Sequence, residues 1–380
     1  MSNLSEHFQK RHANTLNQIR QLVEIESPSY DEAGSRNAVD FLVEKAKEIN
    51  CISTVERIYR EGYGEHLIIR AFSEIPNPQS QIHLLGHTDT VHPRGANAKN
   101  PTRVEGDKFY GCGIFDMKTN CVLMLEILRA FDELNLKPNR PMTILLSCDE
   151  EVGSDTGREF VEAEAAKSAY CLVCEPSANG KVKTGRKGTG WYELKAQGIP
   201  AHAGLEPEKG ASAILEISKQ IQQIHTLNAL EKGTTVNVCM INGGTASNVI
   251  PENASAEIDV RFTSMTEAER IKNEIKNLQS FDERVSLELL GDINRPPMER
   301  TKGVVALYKK AKTIADAMNY EFGETQVGGA LDGNFVGALG VPVLDGLGVK
   351  GNGAHTNDEY ILISDIPKRA ELLAKLILEL

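Results

Sequence analysis

The sequence predicts an α/β protein: a mostly parallel sheet flanked by helices, interrupted by a smaller α+β insertion with a four-stranded antiparallel sheet and two helices. Three observations lead there. Short, continuously apolar runs alternate with helical periodicity, as in a sheet covered on both faces. Near residue 188 the pattern changes to polar–apolar alternation. After residue 297 the first style returns.

In chain order, Leu16, Ile19, Leu22, Val23 and Ile25 have helical spacing that stops at Pro28. A second helix follows Ser35, with Val39, Phe41, Leu42, Ala46 and Ile49 on its apolar side. Runs at 67–72, 82–85, 141–148 and 170–174 read as buried strands, and 120–134 as a helix rich in Leu, Met and Ile. The insertion reads as strand 191–196, helix 211–230, strands 235–241 and 254–263, helix 266–278 and strand 284–290. That is a β-α-β-β-α-β order. A helix at 303–318, a strand at 341–344 and a helix at 366–378 close the chain. The expected domains are 1–187 with 298–380, and 188–297.

The 380 residues suffice for two domains, and 41% hydrophobic with 25% charged residues is ordinary globular composition. A net charge of −11 argues against nucleic acid or an anionic membrane as a main partner. No signal-like leader and no apolar run of about 18 residues is present, so neither secretion nor a membrane span is expected. Seven cysteines suit reduced thiols and a cytoplasmic location. Cys171 and Cys174 match C-x-x-C, but they lie in a strand, where positions three apart face opposite sides, so they read as core residues.

The chemistry gathers at strand ends, where open α/β sheets bind ligands. His87 and Asp89 follow the run at 82–85, and His87 can offer a neutral ring nitrogen to a metal while an acceptor such as Asp89 orients it. Alone, a histidine after a strand is more often a surface or capping residue. Asp116 lies in a turn behind Gly111 and Gly113; it suits either a helix cap or a carboxylate bridging two cations. Glu150 and Glu151 end an apolar strand, where two like charges are costly unless something positive sits there. One of them can bind metal while the other accepts a proton from water, or the pair is simply an acidic loop. Glu175 ends a third strand, and His355 lies in a glycine-rich loop.

Together, Gly86-His87-Thr88-Asp89-Thr90-Val91, Arg103-Val104-Glu105-Gly106-Asp107-Lys108, Asp116-Met117-Lys118, Asp149-Glu150-Glu151-Val152-Gly153-Ser154, Cys174-Glu175-Pro176-Ser177, Ala201-His202-Ala203-Gly204, Ser247-Asn248-Val249-Ile250-Pro251 and Gly353-Ala354-His355-Thr356-Asn357-Asp358-Glu359-Tyr360 resemble the M20 family of zinc-dependent metallopeptidases. The likeness is greatest to the glutamate carboxypeptidase (carboxypeptidase G2) branch. It implies two zinc ions per subunit, with cobalt or manganese possible. His87, Asp116 and Glu175 would hold one; Asp116, Glu151 and His355 the other. Glu150 would be the general base and Asp89 the partner of His87. A cis peptide is implied after Asp116. The insertion would be a lid and dimer interface whose His202 stabilises the oxyanion in the other subunit, with Asn248 beside the same carbonyl. Arg261, Gly329 and Arg295 would bind the substrate, Arg261 clamping its carboxylate unless it pairs with Asp259 or Glu257.

The chain also departs from the family pattern. Cys112 stands where close relatives carry proline or arginine, and Thr119-Asn120 replaces paired glycines. Thr184-Gly185-Arg186-Lys187-Gly188 is similar to the short-acyl deacylases. The implied activity is release of a C-terminal, glutamate-like amino acid from peptides or N-acyl amino acids. The alternatives are an acetylornithine- or succinyl-diaminopimelate-type deacylase, or a non-catalytic metal-binding protein on the same fold.

Overall fold

The computed structural model describes residues 2–76 and 80–380 and divides into two compact units. The first comprises residues 1–185, 300–326 and 331–380; the second, 186–299 and 327–330.

The first unit is built on a six-stranded sheet ordered Ile52–Arg60, Gly64–Ala71, Met142–Ser147, Gln81–His87, Ser168–Val173, Val343–Leu344. The last four strands are parallel, and the first two form an antiparallel edge. Every residue of Gln81–His87 and Met142–Ser147 is buried, which explains why these strands lack polar alternation. The helix Thr119–Glu133 is buried from Thr119 to Phe131, as expected of a helix apolar on most sides. The N-terminal helix spans Ser2–Glu24, and Glu32–Ala46 is capped by Asp31, whose carboxylate accepts the Gly34 N–H at 2.9 Å.

Glu164 of the helix Arg158–Ala165 is almost wholly buried and receives Arg70 (2.8 and 2.9 Å) and Gln81 (2.9 Å). Burial pushes this carboxyl up, but the bonds from Arg70, Gln81 and Lys167 outweigh it and hold it at about 2. A depressed carboxylate contributes stability that is present above its ordinary value of 4.5 and is lost as the pH falls from there toward about 2. Arg70→Ala should therefore cost about 3 kcal/mol at pH 7 and much less near pH 3 in urea unfolding. Equal losses at both pH values would contradict this.

The second unit is a sheet ordered Thr235–Gly243, Asn253–Phe262, Gly188–Gln197, Ser286–Arg295, antiparallel throughout. Burial alternates residue by residue along Gly188–Gln197 and Asn253–Phe262. Tyr192, Leu194, Ile258 and Phe262 pack in one core with Ile217 and Ile224 of Ala213–His225 and with Ile271 of Met265–Lys276. Ser212 and Ser264 cap these two helices.

Candidate metal centre

Parallel pairing brings the first ligand candidates together. His87 lies opposite Ser147, so the turn Glu150–Val152 begins three residues past the strand end beside it. Cys174 donates its N–H to Leu85 O at 3.0 Å, which sets Glu175 next to the same edge. Asp116 arrives on the loop before Thr119–Glu133, and His355 on the loop between Gly351–Asn352 and Tyr360–Leu362.

His87 Nε2 lies 3.2 Å from Asp116 Oδ1 and 3.1 Å from Glu175 Oε1. His355 Nε2 lies 3.3 Å from Asp116 Oδ2 and 3.2 Å from Glu151 Oε2. Asp116 thus turns one oxygen to each imidazole. Donors held about 2.0–2.1 Å from a tetrahedral ion are about 3.3–3.4 Å apart, close to these separations. Glu151 Oε1 is buried without a hydrogen-bond partner. Imidazole nitrogens and carboxylate oxygens are also the donor set that zinc accepts, so the residues fit a metal. Glu150 presents an oxygen within 4.8 Å of donor atoms on His87 and Glu175.

The acids dominate the local electrostatics. Burial pulls the His87 imidazole down, but Glu175, Asp116 and Asp89 push it well above its ordinary value. Hydrogen bonds to Asp116 and Glu151 raise His355 to about 10. Burial opposes ionisation of Asp116, yet the two histidines hold its carboxyl low; burial pushes Glu151 and Glu175 up.

Asp89 contacts His87 through an atom that the sequence did not indicate. Its backbone carbonyl lies 2.9 Å from His87 Nδ1, while its carboxylate Oδ1 is at 3.4 Å. The carboxylate also accepts the Ser29 hydroxyl (2.7 Å) and the N–H groups of Glu150 and Glu151 (both 3.2 Å). It therefore braces the turn carrying both glutamates. The Asp116–Met117 peptide is cis.

Residues 83–379 match the description "Peptidase family M20/M25/M40". The chain belongs to this family. Its enzymes are metal-dependent, and this M20 protein is a hydrolase of the metallopeptidase/amidohydrolase kind. It is 29% identical over 374 residues to carboxypeptidase G2 of Pseudomonas sp. (strain RS-16), covering 95% of this chain and 88% of that one. It is 28% identical over 328 residues to the succinyl-diaminopimelate desuccinylase of Psychrobacter sp. (strain PRwf-1), covering 80% of each. Its fold matches aminopeptidase PepT from Bacillus cereus ATCC 10987 (TM-score 0.75, 22% identity, 97% and 98% covered). It also matches the M20 metallo-carboxypeptidase Sso-CP2 from Sulfolobus solfataricus (0.73, 17%, 96% and 99%).

The other candidate residues of this M20 enzyme belong to the second unit. His202 and Asn248 meet there: Ala203 donates to Asn248 O at 2.9 Å, and His202 pairs with Val249. The His202 ring is exposed, and its Nδ1 accepts the N–H groups of Gly204 and Leu205, both at 3.2 Å. In the neutral ring the proton is therefore on Nε2, which is left as a donor. Arg261 is engaged by Asp259 at 2.7–3.0 Å, the surface pair that was its alternative reading. Arg295 is buried at the end of Ser286–Arg295, and Gly329 accepts the Arg186 guanidinium at 3.1 Å through its carbonyl.

Proposed function

We propose that this chain is a carboxypeptidase-like di-zinc amidohydrolase that cleaves an amide bond beside a free carboxylate and releases a glutamate-like amino acid. The observation that carries it is Asp116 shared between His87 and His355, with Glu150 within reach of the same cluster. His87, Asp116 and Glu175 would hold one ion, and Asp116, Glu151 and His355 the other; cobalt or manganese would also suit these donors. Bound there, such ions would supply Lewis acidity, easing proton loss from water and polarising the scissile carbonyl. Glu150 takes that proton and returns it to the leaving nitrogen. The Asp89 carboxylate fixes the Glu150 backbone, so the base is held rather than mobile.

Similarity to carboxypeptidase G2 over 95% of the chain supports the substrate class. Residues 188–297 would act as lid and dimer interface in a cytoplasmic homodimer, and the Nε2–H of His202 from a second copy would meet the oxyanion. Since Asp259 already occupies Arg261, carboxylate recognition falls more heavily on Arg295 and the Gly329 N–H. His202→Ala should lower kcat by roughly 10²-fold with metal content unchanged. Activity recovered in mixed His202→Ala and Glu150→Gln dimers would show action across the interface; none recovered would count against it.

A deacylase reading is favoured by the desuccinylase relatives and by the Gly185-Arg186-Lys187-Gly188 segment. A mass-spectrometric panel of peptidyl and N-acyl glutamates, N-acetylornithine and N-succinyl-diaminopimelate separates the two. Release of glutamate supports the carboxypeptidase reading; cleavage confined to acetyl or succinyl amino acids overturns it in favour of the deacylase.

A further inference from the structure

Glu359 is wholly buried and lies four residues after His355. Its two oxygens receive four donors. Oε1 accepts the N–H groups of Phe115 (2.7 Å) and Asp116 (2.9 Å). Oε2 accepts the Gly113 N–H (2.9 Å) and lies 2.7 Å from His92 Nε2. A buried carboxylate only accepts, so His92 donates to it and the whole acceptor capacity faces one loop and one imidazole. The Glu359 backbone carbonyl also accepts the Gly111 N–H at 3.2 Å, and Tyr360 pairs with Tyr110.

We infer that Glu359, held by His92, is a positioning residue that sets where the Asp116 carboxylate stands relative to His355. The inference rests on the metal-site reading above. Asp116 and His355 come from segments more than 200 residues apart, and each lies on a loop outside the central sheet. Glu359 belongs to the His355 loop and grips three N–H donors of the Asp116 loop, those of Gly113, Phe115 and Asp116 itself. Gly113 lies on the same grip with φ of 71°, and a side chain there would run into Thr90, so the loop has little room to take another path. A Gln at position 359 keeps the shape but turns an NH2 group toward one pair of donors, so half the clamp becomes repulsive.

The test is titration of cobalt into metal-free protein, followed by visible absorption, with circular dichroism and thermal midpoint as folding controls. Native protein should bind cobalt with a saturable spectrum. Glu359→Gln should bind it roughly 10- to 100-fold more weakly and with an altered spectrum, as loss of such a supporting partner does at metal sites. Should Glu359→Gln fail to fold, His92 carries the test. His92→Leu, which removes the donor, should shift cobalt binding in the same direction. His92→Gln, which restores an N–H, should return toward native. Native cobalt affinity and spectrum in Glu359→Gln, or in His92→Leu where Glu359→Gln does not fold, overturn the positioning role alone. No cobalt binding by the native chain overturns the metal-site reading and this inference with it.

Discussion

Replacing Glu150 with glutamine should lower kcat by about 10³-fold while bound metal stays at the native level. The carboxylate is one of four glutamate and aspartate side chains that converge with His87 and His355, and it sits within 4.8 Å of donor atoms on His87 and Glu175. Glutamine keeps the size and the Asp89 contact, which goes through the backbone N–H, but cannot accept a proton. Metal analysis decides what the loss means. Activity lost with metal retained makes Glu150 the base; activity and metal lost together make it a ligand. Normal turnover would refute the mechanism.

Stripping the metal with a chelator should abolish hydrolysis and lower the thermal midpoint. Asp116, Glu150, Glu151 and Glu175 crowd one end of the sheet, and burial already opposes ionisation of Glu151 and Glu175. A cation bound there favours the folded state by mass action, by about 4 kcal/mol when it stands at a thousandfold excess over its Kd. Zinc, cobalt or manganese added back should restore both activity and midpoint. Full activity in protein shown to be free of metal would contradict the proposed chemistry.

How much of this was legible in the sequence depends on what decided each element. The strands Gln81–His87 and Met142–Ser147 are buried throughout, so their apolar runs marked them, and the residues just beyond their ends marked the site. The second unit's alternation showed equally well because one sheet face is covered by helices and the other is not. Ile52–Arg60 gave no such signal: it is an edge strand with mostly exposed residues, placed by backbone pairing with Gly64–Ala71. The helix expected to reach residue 230 ends at His225, where Asn228 exchanges hydrogen bonds with the Val236 backbone and competes with further helix. The short strands Lys108–Tyr110 and Tyr360–Leu362 are three residues each and form by long-range pairing, so no local period announces them. The pairing of His92 with Glu359 of the His355 motif escaped for the same reason, since it spans 267 residues. That the Asp89 carboxylate also braces the Glu150–Glu151 turn, while its carbonyl lies nearer His87 Nδ1, depends on a folded loop geometry that residue identity alone does not carry.

The most direct test of the central claim is kcat/KM of the zinc-loaded enzyme on a matched pair: an N-acyl glutamate and the same molecule with its α-carboxylate capped as the amide. Hydrolysis beside a free carboxylate should favour the uncapped member by roughly 10²-fold or more, because the cationic and N–H partners proposed for that carboxylate would go unpaired when the charge is removed. Equal cleavage of both members, or activity only on peptides with a free amino terminus, would contradict the account.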